Sequence, residues 1–176
     1  MYKKLTNKLF LVLALVSGVI AFSSCSSHDY EWRRATLDIQ FDMSPNPSNG
    51  YVDVSTTVYL DEIPEFNPSR ERIVDLVTND SWLNISNFLR GDYIDTFYID
   101  VAGVGTYRYE IPIKIRQDDE IFTLDDNGYY NFMRDVNYLL LRDGAVDMRI
   151  RMYTNVYDGG PIYFDMQNNL DIEVRY

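Results

Sequence analysis

The chain has 176 residues, 46% hydrophobic and 15% aromatic, with 15 tyrosines, one histidine, one cysteine and a net charge of −11. That acidity argues against a nucleic-acid partner, since phosphate backbones are held by clustered Lys and Arg. One His and one Cys exclude a His-based triad, a multi-His metal site and an internal disulfide.

The chain opens on an export pattern. Lys3, Lys4 and Lys8 make a positive start, residues 9–22 form an uncharged apolar run, and Ser23 and Ser24 precede Cys25. This is the order of a secretory signal, with n-region, h-region and small-residue cleavage site. The run is shorter than the roughly 20 residues a membrane span needs. Phe22-Ser23-Ser24-Cys25 resembles a lipobox, where a bacterial lipoprotein is diacylated and cut. It departs from the commoner Leu-Ala-Gly-Cys form, and its serine-rich variant resembles those of Bacteroidetes lipoproteins.

The resemblance covers only this leader. It implies a signal peptide over 1–24, a lipidated Cys25 and attachment to the membrane through that lipid. Ser26 in place of Asp favours the outer membrane, by analogy with enterobacterial sorting. Asp29 and Glu31 resemble the acidic export tags of surface lipoproteins, so the periplasmic and cell-surface faces are both open. The alternatives are an ordinary Cys25 behind a conventional signal, or an uncleaved anchor over 9–22. Lipidation removes a free thiol that export would expose to oxidation. Each buried methylene contributes about 0.8 kcal/mol, and two acyl chains hold where one is marginal. Removing 24 residues from 176 leaves 152, and removing three lysines takes the charge from −11 to −14. That length supports one domain with its own core.

Residues 25–34 read as a polar tether on which Tyr30 and Trp32 can dock. Residues 36–43 alternate, with Leu37, Ile39, Phe41 and Met43 on one face, which marks a half-buried strand. A turn over 44–50 and a second alternating strand over 52–60 predict an antiparallel hairpin. Residues 70–78 are ambiguous. Asn67 and Pro68 favour a short helical turn there, against the β-branched content of the segment. Strands are expected over 82–88 and 93–101, the second of them central. Residues 106–116 alternate cleanly, and Pro112 puts that strand at an edge or a bulge. A short strand over 121–124 and a turn over 125–128 follow. Phe132, Val136, Leu139 and Leu140 then predict a helix over about 131–142, capped by Asn131 and closed by Gly144. Strands over 145–154, 162–166 and 170–176 close the chain, with Asn168 and Asn169 as an interruption.

Short one-faced strands with one crossover helix predict a mainly β fold. The expected form is an immunoglobulin-like antiparallel β-sandwich of about 7–9 strands, a single domain over 35–176. The alternative is one sheet backed by helices at 70–78 and 131–142. No phosphate-binding glycine loop occurs, and Gly103 and Gly105 belong to a hairpin turn. Asp118, Asp119, Glu120, Asp125, Asp126 and Asn127 offer hard oxygen ligands to calcium, without EF-hand spacing. Two solvated turns are the alternative reading, and no cofactor is called for. Trp32, Tyr59, Trp82, Tyr153 and Tyr163 fall off the core face and are candidate glycan-stacking rings. The functional expectation is a lipid-anchored, non-enzymatic binding or structural module with a protein or glycan ligand. The alternatives are a pilus-type assembly component donating a strand such as 170–176, and a carboxylate-based hydrolase.

Overall fold

The computed structural model describes residues 30–109, 112–116, 120–156 and 160–176. Its strands are β1 (Tyr30–Met43), β2 (Tyr51–Tyr59), β3 (Arg72–Ser86), β4 (Tyr93–Val101), β5 (Gly105–Tyr109), β6 (Ile113–Lys114), β7 (Glu120–Thr123), β8 (Ala145–Thr154) and β9 (Ile162–Arg175). A 3-10 turn spans Leu60–Glu62, and helix α1 spans Asn127–Asp143.

The pairing is nested. β1 pairs with β9, β2 with β8, β3 with β7 and β4 with β5, all antiparallel. Two further pairings, β9 with β3 and β8 with β4, gather these ribbons into two sheets. One sheet runs β1-β9-β3-β7; the other runs β2-β8-β4-β5, with β6 also on β4. The expected two-sheet antiparallel sandwich is what forms, and a ribbon rolled up in this order is a jelly roll. Alternation supplies the core: Leu37, Ile39, Phe41, Met148, Ile150, Met166 and Ile172 all point between the sheets and are buried. Phe164 of β9 meets Phe97 of β4 at 5.6 Å between ring centres, joining the two layers. Each such buried side chain contributes about 1.5–3 kcal/mol.

The expected hairpin of the first two strands does not form. β1 and β2 lie in different sheets, because residues 44–50 turn the corner between the layers. The helical turn favoured at 70–78 is strand instead. It is continuous with the strand expected from Trp82, making one 15-residue β3. The β-branched Ile73, Val74, Val77 and Thr78 win there, and register shifts between Ile73 and Asp75 and between Thr78 and Asp80 break the simple alternation. The described part of the expected tether, from Tyr30, is already β1.

Helix α1 crosses from β7 in one sheet to β8 in the other, as expected of a crossover. It starts a turn earlier than predicted. Asp126, not Asn131, is the cap, its carboxylate accepting from the Tyr129 N–H at 2.9 Å. Gly128 leaves room for that carboxylate, since a Cβ there would lie 2.8 Å from Asp126 Oδ1 and displace the cap. Gly144 closes the helix with φ 78°, its N–H donating to Leu140 O at 2.8 Å.

Asn168 does not interrupt β9. It is fully buried, and its side chain is satisfied on both sides. Ser81 Oγ and Tyr129 OH donate to its Oδ1 at 2.8 and 2.7 Å, and its Nδ2 donates to Leu37 O at 3.4 Å. Asn168→Ala would orphan all three partners, each worth about 1–3 kcal/mol when buried and unpaired. The expected loss is about 3 kcal/mol of unfolding free energy by urea denaturation, whereas Asn169→Ala should stay within about 0.5 kcal/mol.

Candidate functional site

The two outward sheet faces differ in how their polar groups are matched. On the β2-β8-β4-β5 sheet, Arg149 grips Asp53 through two bonds of 2.6 and 2.5 Å. Arg151 grips Asp100 in the same way at 2.5 and 2.8 Å, and Thr106 Oγ1 adds a bond to Asp100 at 2.6 Å. Those guanidinium groups hold both carboxyls below their ordinary range. The Arg151 guanidinium also lies 5.2 Å from the Tyr98 ring centre. On this face Asp53 and Asp100 are each closed by an arginine, and Asp147 accepts from the Thr57 hydroxyl.

The β1-β9-β3-β7 face is less fully matched. Two hollows lie in succession along β9. The first, about 280 Å³, is lined by Trp82, Asn84, Ile121, Asp165 and Gln167. These come from neighbouring strands at matched register: Trp82 opposite Gln167, Asn84 opposite Asp165, and Ile121 of β7 opposite Asn84. The Oδ1 atoms of Asn84 and Asp165 are both closed off from solvent and, among the described residues, accept from no donor. Cross-strand partners have Cβ atoms about 5 Å apart, so the two side chains are neighbours on this face. Burial first, and the Asp38 charge second, push the Asp165 carboxyl above its ordinary range.

The second hollow, about 560 Å³, includes Thr36, Glu65, Asn79, Asp80, Asn169 and Asp171. Asn79 enters it because the register shift between Thr78 and Asp80 re-aims that residue. Asn169 is four residues from Asp165, so the hollows are centred about 13 Å apart along the strand.

The sequence-predicted rings are only partly assembled. Trp82 lines the first hollow. Trp32 and Tyr163 lie on the same sheet, opposite Glu173 and Asp42 respectively. Those positions are about 20 Å and 13 Å along the strands from Trp82. Tyr59 and Tyr153 belong to the other sheet and lie eight residue pairs apart, Tyr153 packing on Tyr51 at 5.0 Å between centres. The five rings form no single platform. Of the calcium candidates, Asp118 and Asp119 lie outside the described residues, as does Cys25. Asp126 is the helix cap and also accepts from the Tyr107 hydroxyl, while Asn127 opens the helix. Among the described residues no cluster of three acids, histidines or cysteines is arranged to hold a metal. Asn84, Asp165 and Gln167 were not singled out by the sequence. Alternation puts 165 and 167 outward, but only the register with β3 sets them beside Trp82 and Asn84.

Neither protein-family models nor curated proteins match the chain. Among solved structures it is similar to the decameric BFDV capsid protein, with TM-score 0.42 and 9% identity over 84% of this chain and 100% of that one. The 60-mer BFDV capsid protein gives TM-score 0.39 and 8% identity over 86% and 95%. The VP2 subviral particle of infectious bursal disease virus gives 0.21 and 14% over 86% and 42%. At these scores the likenesses bear on no function.

A raised folded-state pKa means that the neutral Asp165 fits the fold better than the charged one. Its stabilising contribution is full below the ordinary carboxylate range and is lost as pH rises through the raised value. Asp165→Asn should therefore stabilise the protein at pH 7, by about 1 kcal/mol or less at this half-exposed position, and leave stability near pH 3 unchanged. Thermal melts of both proteins at the two pH values give the comparison.

Proposed function

We propose that this chain is a lipid-anchored, non-enzymatic glycan-binding module of the outer membrane, held through Cys25 and binding its ligand along β9. The observation that carries the reading is the hollow beside β9 in which Trp82 stands with Asn84, Asp165 and Gln167. An indole supplies an apolar wall against which a sugar ring packs, and amide and carboxylate side chains around it suit sugar hydroxyls. A peptide is a poorer fit. β9 pairs along its length with β1 and β3, so its backbone groups are already engaged and offer no ladder to an added strand.

That same double pairing weighs against the pilus-type alternative. Donating residues 170–176 to a neighbour would strip them from two partners at once. The hydrolase alternative draws on Asp38 and Asp165, which occupy diagonal positions on β1 and β9, roughly 7–8 Å apart. Both project from one face of one sheet, however, whereas glycosidic cleavage uses carboxylates flanking the bond from two sides.

Two measurements test the reading. Cys25→Ser should abolish incorporation of labelled fatty acid and release the protein from the membrane fraction; unchanged attachment would remove the anchor from the account. On a glycan array, the full chain in detergent should bind at least one carbohydrate class, and Trp82→Ala should lose about tenfold or more in affinity, about 1.4 kcal/mol. Turnover of a bound glycan that disappears in Asp165→Asn would replace the binding reading with the hydrolytic one.

A further inference from the structure

We infer that the end of the β1-β9-β3-β7 sheet where β1 begins is a contact surface for the anionic headgroups of a phospholipid bilayer, so that the sandwich stands with that end on the membrane. This rests on the attachment through Cys25 proposed above and adds which residues meet the lipid and what they recognise. Three features of this end converge on it.

The first is a conflict of charge. Tyr30, Arg175 and Arg72 lie in one row across the sheet, Tyr30 of β1 opposite Arg175 of β9, and Arg175 opposite Arg72 of β3. The next residues inward, Val174 and Ile73, are buried, so alternation turns both arginines outward. Cross-strand partners have Cβ atoms about 5 Å apart, and like charges placed there destabilise the pair. Among the described residues neither guanidinium is in an ion pair, whereas Arg33, Arg134, Arg142, Arg149 and Arg151 each have a carboxylate. In a chain of net charge −11, two adjacent arginines left without an acid stand out. A phosphate group answers both, since its oxygens accept from the fork of N–H donors that each guanidinium presents.

The second is the rings beside them. Tyr30 and Trp32 are both more than half exposed, and both share the outward face of Arg175. Rings with an apolar body and a polar tip settle at the headgroup level of a bilayer.

The third is position. Tyr30 is five residue steps from Cys25, a reach of at most about 18 Å, so its row is the part of the sheet nearest the anchor. The next outward row carries Glu173 opposite Asp75, about 7 Å further along the strands. An anionic surface attracts the first row and repels the second, which confines the contact to the tip and holds the acidic body off the membrane.

The test uses the full chain reconstituted in vesicles of phosphatidylethanolamine, with or without phosphatidylglycerol. Trp82→Phe leaves Trp32 as the one indole. Lipids brominated near the headgroup then report its contact by quenching. The expected result is quenching about twofold or more stronger with phosphatidylglycerol than without, and weaker in high salt. Arg72→Gln with Arg175→Gln should erase the difference, and should stay folded by near-ultraviolet circular dichroism because it removes a like-charge pair. Arg134→Gln with Arg142→Gln, the same charge taken from the helix, should leave the difference intact. Equal loss in both double variants would overturn the inference in favour of bulk charge. Equal quenching in the two kinds of vesicle would overturn headgroup recognition, and no quenching in vesicle-bound protein would show the body standing clear of the surface; either result leaves the anchor in place. Calorimetric binding of glycerol phosphate without any vesicle response would overturn it in favour of a soluble anion. Absence of the chain from the vesicle fraction would overturn the anchor and this inference together.

Discussion

The structure depends on a polar side chain in an apolar interior. Asn168 occupies the middle of β9, the strand between β1 and β3, and it is fully buried. Its carboxamide holds Ser81 of β3, Tyr129 of α1 and the backbone of Leu37 in β1. A buried amide in a strand is costly unless its oxygen and nitrogen are both hydrogen-bonded. Here the answers come from three separate elements, so the site works only when all of them have docked in one register. Tyr129 then passes the constraint onward, since its backbone N–H donates to Asp126, which also accepts from the Tyr107 hydroxyl of β5. The link from β9 to β5 runs through the helix and ties one sheet to the other. Apolar burial supplies most of the stability, but it is nearly indifferent to a two-residue slip that keeps the same face inward. The Asn168 network is not indifferent to it.

The sandwich class was legible because the strands alternate. Residues 36–43 and 145–154 show one apolar and one polar face, and a sheet with one apolar face must cover it. The helix was legible for the matching reason, a 3.6-residue period ending at Gly144. Three features were not legible, each for a physical cause. The hairpin of β1 and β2 failed because a turn signal marks a reversal of the chain without stating whether it stays in one sheet. Residues 70–78 were obscure because bulges at Val74 and Asn79 shift the alternation out of phase twice within β3. Asn168 looked like an interruption because its partners lie 39, 87 and 131 residues away. Trp82 could be read from its face alone. Its companions could not, because Asn84 and Asp165 acquire meaning only through cross-strand register, which one sequence does not encode locally.

The two outer faces give the clearest statement of where this fold departs from stability alone. On the β2-β8-β4-β5 side, acids and arginines alternate across strands and close on one another. On the β1-β9-β3-β7 side, Arg34 faces Asp171, but Asp38 and Asp165 face Gln167 and Gln40, and among the described residues two shielded oxygens go without donors. Replacing Asp165 by a neutral residue would relieve the fold, yet the charge stands beside Asp38, where it is least comfortable. Such local conflicts are where binding sites tend to lie, because a group satisfied by its own protein has little left to offer a ligand. The third shielded and unmatched oxygen, Oδ1 of Asn137, is a different case. Its amide nitrogen donates to Thr78 Oγ1 at 3.0 Å, fastening α1 to β3, and the residue is 2% exposed.

The anchoring proposed at Cys25 bears on which end of the sandwich would meet a ligand. Tyr30 begins β1 opposite Arg175, and the Arg33 side chain ties Glu31, Glu71 and Tyr176 together at that end of the molecule. Tyr30 is five residue steps from Cys25, a reach of at most about 18 Å. Under the proposed anchoring through Cys25, this end would stay near the bilayer. Asp165 lies ten residues along β9 from Arg175, about 33 Å away. The second hollow, at Asn169, lies between the two. A polymer laid along β9 would run from the membrane-proximal end outward, and the charged hollow would meet it farthest from the lipid surface.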